Sequence, residues 1–590
     1  MSDNLPPTTP PGPTGPPPGS APQEYLDSAA GHSFTPPAQS TSAGVLKKGI
    51  VVGGGVLGAT ALGVGAWAAV SFFSTGAQPA QALPDSTLAY VSIDLDPSGG
   101  QKIEALRTLN KFPAFEDEIG LDTDDDIAKE IFEQIQEESD CEGVDYDEDV
   151  APWLGSRMAM AAVETGASEP TPVIVIQVKD ADAAQSGIQA IISACAGPED
   201  ETLGWSIQGD WAVLAETEDI VDEVTEATAK GSLADDEDFQ SWTGEAGSAG
   251  IVTMYAGPAA GDFLAENAAD IFGSPFGGSD YACSITSSSG PLDTDDPFAD
   301  DDTFTSFEDD CGPSFDGSSG ETEVPDQAKQ ALADFKDMAG IVRFSDGAFE
   351  VEFAGDGSLP MVSAFGGGAA GEAVGSLPAD TAAAVALSFA DGWVEQLLDY
   401  YSASSGAGQD IETMVQEFED ETGLAVPEDI EALFGESVAL SIGSDLDPEA
   451  LFASPDEFDI PLGLKVKGDA DEIERVLDTL LTQLPPDASE FVAVEADGDT
   501  VVIGPSADYR QLLLKDGALG DDEVFKDVVR ESGKASAVFF VNLNSLEDAI
   551  LEAMGEDDEV AENLKPLSGF GVTAWLDGDV AHSVLRVTTD

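Results

Sequence analysis

The sequence predicts an α+β protein with two tandem homologous units after a single transmembrane helix, each unit a mostly antiparallel sheet covered by helices. Three observations predict it: an uncharged run near the N-terminus, an alternation of strand-like and helix-like segments after that run, and an internal repeat. Pairs of Gly and Asp separate strand-like runs at 209–210, 346–347, 497–498 and 577–578. Such pairs are typical of two-residue hairpins, which join antiparallel strands.

The N-terminal 82 residues predict the topology. Residues 1–48 are rich in Pro, Gly, Ser and Thr and are expected to form a disordered cytoplasmic tail. Residues 49–73 contain no charged side chain and are long enough to cross a bilayer as a helix. Lys47 and Lys48 precede this run, so the N-terminus is predicted to be cytoplasmic and the C-terminal domain extracellular. Residues 74–82 form a linker.

Two alternatives concern the same segment. Ala80-Gln81-Ala82 has the small-x-small form that a signal peptidase cleaves, although the long tail and the long apolar run favour a permanent anchor. Gly49/Gly53 and Gly54/Gly58 have the spacing that lets two membrane helices approach closely, which permits a homodimer through this helix.

The internal repeat defines two exported α+β halves, residues 83–356 and 377–590, joined by a Gly/Ala-rich linker at 357–376. The opening LPDST at Leu83 is answered by LPADT at Leu377, and GSLADDEDF at Gly231 by GALGDDEVF at Gly517. GIVRFSDG at Gly340 is matched to GVTAWLDG at Gly571. Further matches pair Glu148-Asp149 with Glu428-Asp429, and Asp180-Ala181-Asp182 with Asp469-Ala470-Asp471. The first half carries an acidic insertion at about 273–325 that the second lacks.

The composition is strongly acidic. With 22 Lys and Arg against 115 Asp and Glu, the net charge is −93, which excludes nucleic acid as a partner. The charge indicates either a solvated surface or a site for divalent cations or a cationic partner. Asp122, Asp124, Asp126 and Glu133 have the spacing of a calcium loop, but the position that needs Gly is Ile127, so no metal site is predicted.

All four cysteines follow the membrane segment, where disulfides persist outside the cell. Four cysteines allow three connectivities. We predict Cys141 with Cys195 and Cys283 with Cys311, because the second pair lies alone in the insertion and the first pair is missing together from the second half.

The sequence lacks the residues that most catalytic sites need. Only two histidines occur, His32 in the tail and His582 on a terminal strand, where a surface position is expected. The run 366–371 spells GxGxxG and Asp391 follows it, but Pro378 leaves no room for the helix of a dinucleotide site. No catalytic residue and no cofactor are predicted.

The words from Ala82 to Pro113, ALPDSTLAYVSIDLDPSGGQKIEALRTLNKFP, resemble the opening of an actinobacterial family catalogued as domain of unknown function thirty-three fifty-two. The resemblance is taken to extend over residues 83–590. It implies a Pro-rich tail, one membrane helix and a large exported region, and it brings no catalytic residues.

We therefore predict a single-pass cell-membrane protein that presents an acidic duplicated domain outside the cell as a non-catalytic binding module. The expected partners are a cell-wall component, a cation or an envelope protein. The alternative is an envelope hydrolase that uses paired carboxylates on glycans.

Overall fold

The fold is described from a computed structural model. It describes residues 77–97, 99–118, 128–129, 132–133, 136, 143–167, 169–195, 203–266, 335–358, 360–404, 411–445, 460–482, 493–554 and 558–590. Within these ranges no helix is both long enough and apolar enough to span a bilayer. The predicted span 49–73, Lys47 and Lys48, and the whole acidic insertion lie outside them.

The described residues form an α+β fold, as the sequence predicts. Its strands are β1 Thr87–Asp94, β2 Leu154–Val163, β3 Thr171–Val178, β4 Gly204–Gln208, β5 Trp211–Ala215, β6 Val252–Ala256, β7 Met338–Ser345, β8 Ala348–Asp356, β9 Thr381–Ser388, β10 Ser437–Gly443, β11 Leu462–Lys467, β12 Ala493–Asp497, β13 Thr500–Gly504, β14 Ala537–Asn542, β15 Leu567–Asp577 and β16 Val580–Thr589.

Helices connect most of these strands. They are α1 Gly99–Leu109, α2 Pro113–Glu118, α3 Ala181–Cys195, α4 Glu218–Thr228, α5 Glu237–Glu245, α6 Pro258–Glu266, α7 Pro360–Ser363, α8 Ala370–Gly375, α9 Trp393–Ser404, α10 Ile411–Thr422, α11 Glu428–Phe434, α12 Ala470–Leu481, α13 Ala507–Leu513, α14 Glu523–Val528, α15 Leu543–Met554 and α16 Asp558–Leu564.

The chain forms two compact units. The first contains the described residues of 77–86 and 126–234, and the second those of 87–125 and 235–590. In the first unit the strand order is β2-β3-β5-β4; in the second it is β12-β13-β11-β10-β9-β14-β15-β16-β8-β7-β6-β1. These units follow spatial contact, so they divide the chain differently from the predicted halves, which follow sequence similarity.

The strand orders repeat. The order β2-β3-β5-β4 in the first unit is that of β10-β11-β13-β12 in the second. Within the second unit, β1-β6-β7-β8 likewise has the order of β9-β14-β15-β16. The same connectivity therefore occurs twice along the chain.

The repeated sequence words occupy matching places at helix starts. Asp180 and Asp469 accept hydrogen bonds from backbone N–H groups in the first turns of α3 and α12. Asp236 and Asp522 do the same for α5 and α14. The first N–H groups of a helix have no partner inside it, so a carboxylate at this position caps them.

All four predicted hairpins are present, and their strands pair antiparallel. Three turn at a Gly-Asp pair whose glycine has a positive φ: Gly209 at 59°, Gly498 at 64° and Gly578 at 64°. The fourth turns at Asp346-Gly347, where both residues have positive φ, 53° and 76°. Glycine at the first turn position is typical of type II′ turns, and Asp-Gly of type I′ turns.

The sequence predicts one sheet for each half, and this expectation is wrong at the strands that end the halves. β8 and β16 are neighbours in one sheet of the second unit, paired from Ala348↔Thr588 to Asp356↔Val580. A free edge strand exposes unpaired N–H and C=O groups, and this pairing satisfies them. Hydrophobic periodicity carries no signal for such a pairing.

Each unit has its own core. In the second unit Tyr509, Leu513, Phe525 and Phe540 are buried together, with helices α8, α13 and α14 against β9, β10 and β14. In the first unit Trp153, Ile188 and Trp205 are buried with α3 on β3, β4 and β5.

Candidate functional site on the open sheet face

The two faces of the sheet in the second unit differ in exposure. Along β9, Ala382, Ala384 and Ala386 are buried, whereas Ala383 and Val385 between them are partly exposed. The buried face carries the core beneath α8, α13 and α14. We call the opposite side, which contains Val385, the open face.

Strand register places one unbroken row of apolar side chains on the open face. Directly paired residues of antiparallel strands point to the same side of a sheet, so each pairing passes the row to the next strand. From β12 to β1 the row is Val494, Ile503, Leu464, Leu440, Val385, Phe539, Val572, Leu585, Val351, Val342, Val252 and Ile93.

The open face is apolar beyond this row. Over 438–442, 383–387, 537–541 and 570–576 of its four central strands, every residue that points to this side is apolar: Val438, Leu440 and Ile442; Ala383, Val385 and Leu387; Ala537, Phe539 and Val541; Phe570, Val572, Ala574 and Leu576. An antiparallel sheet with one solvated face normally carries polar side chains there. In a chain with 115 acidic residues, an uncharged open face is therefore unexpected.

Helix α12 covers one end of this face. Ile473 and Leu477 pack against Val438, Val466 and Val501. Farther along, the cover is incomplete: Leu440 is 44% exposed, and Val385 and Phe539 are each 39% exposed. Phe570 lies beside them, with its ring 5.6 Å from that of Phe539 in an edge-to-face contact. We call Val385, Leu440, Phe539 and Phe570 the apolar patch.

The chemistry of the apolar patch is that of a binding surface. Contiguous exposed apolar area marks a place for another apolar molecule, because the free energy of the system falls when such area is removed from water. The patch offers no side-chain hydrogen-bond donor, acceptor or charge. It can bind an apolar group and cannot perform acid–base chemistry.

A polar cluster lies on the buried face where β7, β8 and β16 meet. Glu350 contacts Arg343 at 2.5 Å and also pairs with Arg586, whose side chain is buried. Arg343 contacts Glu352 as well, and Arg530 lies 3.8 Å from Glu350. Burial lowers the pKa of Arg343 and Arg586, while Glu350 opposes that shift. We call Arg343, Glu350 and Arg586 the ionic row.

Paired catalytic carboxylates require two acids that face a substrate. The buried carboxylates among the described residues are Asp337, Glu350, Glu352 and Asp429. The two glutamates contact arginines, and Asp429 accepts a hydrogen bond from Arg475 that lowers its pKa. Asp337 accepts one from the Tyr255 hydroxyl at 2.5 Å, and burial raises the pKa of Asp337. All four are thus engaged inside the protein.

Several predicted residues fall outside the described ranges. Cys141, Cys283 and Cys311 lie outside them, and of Cys195 only the backbone lies within, so the disulfide pairings stay predictions. Asp122, Asp124 and Asp126 are also outside. Across the part of the chain that is described, no group of three or more His, Cys, Asp or Glu is placed to hold a metal ion.

The surface position expected for His582 is wrong. Its side chain is 4% exposed and stacks on Trp575, with ring centroids 5.4 Å apart. The glycine run at 366–371 instead allows close packing: a Cβ on Gly371 would lie 1.9 Å from the Ser532 carbonyl oxygen, and one on Gly367 2.6 Å from that of Phe389.

Sequence reasoning missed the apolar patch. A signal was present in strands such as TAAAVALS of β9 and AVFFVN of β14, which are apolar at both alternating positions. Continuous apolar runs predict strands buried on both faces. They could not say which of the two faces would remain open.

Residues 50–209 match a family described as protein of unknown function, DUF3352. Over that segment the chain is similar to this family. The match confirms the resemblance drawn from residues 82–113, and it includes most of the predicted membrane span, whereas the apolar patch lies beyond it. No curated protein and no solved structure matches the chain closely enough to support a comparison. The DUF3352 match carries no activity, so the function is inferred from the geometry of the described residues.

Proposed function

We propose that this protein is a single-pass membrane protein whose duplicated α+β region lies outside the cell and acts as a non-catalytic binding module. The observation that carries the proposal is the apolar patch. It lies on a hydrogen-bonded sheet, has α12 over one end of the face and α15 against β9 and β15, and contrasts with the acidic remainder of the chain.

The anchored topology is supported by sequence. Residues 49–73 are free of charge, and Lys47 and Lys48 flank them on one side only. The DUF3352 match begins inside this run, at residue 50. An anchor of this kind would hold the binding region beside the bilayer.

The proposal includes a tandem duplication of the α+β region. It is supported by the two copies of each strand order and by the caps at Asp180 and Asp469, and at Asp236 and Asp522. We infer that a gene segment encoding eight strands was doubled.

Thiol labelling in intact cells tests the anchor. In a background whose native cysteines are replaced by serine, Ser42→Cys should resist a membrane-impermeant maleimide and Ser98→Cys should react. Detergent lysis is the control, because both should then react. Labelling of Ser42→Cys in intact cells would reverse the proposed orientation.

Binding of a naphthylamine fluorophore tests the patch in the full chain held in amphipol. We expect Leu440→Gln combined with Phe539→Gln to weaken binding about tenfold, which is about 1.4 kcal/mol. Leu512→Gln is the matched control, since Leu512 is 40% exposed on α13, which packs on the buried face. Equal binding by all three proteins would refute the patch as the site.

Incubation with cell-wall fragments separates binding from hydrolysis. Retention without release of soluble glycan agrees with a binding module. Release of reducing sugar ends by the purified chain would favour the hydrolase alternative.

A further inference from the structure

We propose that the apolar patch takes the acyl chain of a membrane lipid whose head group carries no net negative charge. The proposal rests on the function argued above and specifies its ligand. Three properties of the molecule lead to it: the chemistry of the open face, the charge around it and the position of the chain relative to the predicted anchor.

The chemistry of the patch selects a ligand without polar atoms. All side chains that point to this side from β9, β10, β14 and β15 between 383–387, 438–442, 537–541 and 570–576 are apolar. The backbone groups of these central strands are paired within the sheet. An extended peptide or a sugar laid across the patch would bury polar groups without partners, which is unfavourable. A methylene chain has none to bury.

The dimensions suit a linear chain. The patch runs from Leu440 on β10, across Val385 on β9, to Phe539 on β14 and Phe570 on β15. Three inter-strand spacings of about 4.8 Å give it a length of roughly 14 Å. Each added methylene that reaches the patch should strengthen binding about fourfold, until the chain exceeds this length.

The charge of the chain restricts the head group. With a net charge of −93, the protein repels an anionic head held near its surface. A zwitterionic or cationic head is tolerated. This excludes an acyl chain carried by a strongly anionic lipid as the favoured ligand.

The predicted membrane anchor explains where the lipid would come from. The uncharged run ends at residue 73 and β1, the first strand of the second unit, begins at Thr87. The intervening chain spans at most about 50 Å, so the second unit stays near the bilayer. Membrane lipid is then the apolar molecule present at the highest effective concentration.

Photocrosslinking tests this inference. The full chain in nanodiscs of unreactive phosphatidylcholine is exposed to lysophosphatidylcholines that carry a diazirine on an octanoyl, dodecanoyl or hexadecanoyl chain. After irradiation, peptides are mapped by mass spectrometry. We expect adducts on β9, β10 and β14, with yield rising from octanoyl to dodecanoyl and then levelling. The anionic lysophosphatidylglycerol probe should label several-fold less, and this difference should shrink in high salt.

Variants make the result specific. Leu440→Gln combined with Phe539→Gln should lower the adduct yield about tenfold, while Leu512→Gln should leave it unchanged. Circular dichroism of each variant confirms that it is folded. Adducts spread evenly over the surface, or an undiminished yield in the double variant, would overturn the inference.

Failure of this inference is distinguishable from failure of the proposed function. If the naphthylamine binds at the patch but the acyl probes do not, the binding module stands and the lipid ligand is wrong. If neither binds, both are wrong. A concentration-dependent dimer that Phe539→Gln abolishes in sedimentation would instead assign the patch to a second copy and would overturn the lipid proposal.

Discussion

The hairpins β7–β8 and β15–β16 end the two halves, yet they carry opposite chemistry at the same place. Arg343 pairs with Glu350 one step of two residues from the turn, and at the same step Trp575 pairs with His582. The next strand continues each row, with Arg586 beside Glu350 and Ala354 beside His582. One row is ionic and the other is a stack of rings next to a methyl group.

The two hairpins share a backbone arrangement and differ in side-chain chemistry. The two hairpins have the same length of turn and the same strand neighbours, so the sheet tolerates either chemistry at this step. The ionic row joins Arg343 and Glu350 of the first half to Arg586 of the second. Charges this deeply buried need partners, so the ionic row makes the pairing of β8 with β16 dependent on specific residues.

The comparison also corrects a sequence match. The words GIVRFSDG and GVTAWLDG align Asp346-Gly347 with Asp577-Gly578, but the turns lie at Asp346-Gly347 and at Gly578-Asp579. The true correspondence is therefore shifted by one residue. A shift of one reverses which face each side chain occupies, so Phe344 corresponds to Leu576 and not to Trp575.

The largest effect is expected from breaking the ionic row. Glu350→Gln removes the carboxylate that the buried Arg586 shares with Arg343, while Arg343 keeps its contact with Glu352, and it should lower the free energy of unfolding by about 3–5 kcal/mol. Urea denaturation followed by tryptophan fluorescence measures it. His582→Gln, at the equivalent step of the other hairpin, should cost clearly less. Equal losses of unfolding free energy would mean that Glu350 and His582 contribute equally to stability.

Replacement of the whole ionic row sharpens this test. Glu352 must be replaced as well, because it is buried and contacts Arg343. Arg343→Met, Glu350→Leu, Glu352→Leu and Arg586→Met together remove the buried charges and their partners, so the cost should fall to about 1 kcal/mol or less. A quadruple variant as unstable as Glu350→Gln would show that packing, not pairing, is lost.

Acid should destabilise the protein through His582, which stacks on Trp575. Burial lowers the pKa of His582 to about 4, below the usual 6.5, so between these pH values the unfolded chain binds a proton that the folded chain does not. The contribution of His582 is fully present above pH 6.5 and is lost as the pH falls towards 4, by about 3 kcal/mol in all.

The control for this pH effect is His582→Phe. Carboxylates titrate in both proteins, so the difference in unfolding free energy between wild type and variant isolates the histidine. That difference should move by about 2–3 kcal/mol in favour of the variant between about pH 7 and about pH 4.5. A difference independent of pH would show that His582 is not held neutral by burial.

Substitutions in the turns of the two hairpins should change stability by a smaller amount. Gly578 has φ 64°, where a side chain clashes with its own backbone, so Gly578→Ala should cost about 1–2 kcal/mol. Asp346 already occupies φ 53° without being glycine. Asp346→Gly should therefore change stability by less than about 0.5 kcal/mol, because relief of strain is offset by a freer unfolded chain. Thermal unfolding of both variants at one pH checks the pair.

Salt should barely change the loss of stability caused by Glu350→Gln. Added sodium chloride screens repulsion among exposed acids and should raise the melting temperature of every variant. The difference between wild type and Glu350→Gln should stay constant within about 0.5 kcal/mol, because buried pairs are screened little. A difference that collapses in high salt would place the ionic row in contact with solvent.

The sequence by itself determined the local structure. Gly-Asp and Asp-Gly pairs fixed four hairpins, and the aspartates of the repeated words fixed where α3, α5, α12 and α14 begin. These features depend on a few adjacent residues, whose φ angles and hydrogen bonds do not need the rest of the chain. The repeated words also predict a duplicated unit.

Only the tertiary structure decided which strands met and which face stayed open. Residues 350 and 586 are separated by 236 positions, and nothing in either local sequence encodes that they share a buried ionic row. The strand AVFFVN is apolar on both sides, so its sequence could not tell that Phe540 would be buried and Phe539 left 39% exposed. Burial is a property of what packs above a side chain, and that neighbour comes from distant parts of the chain.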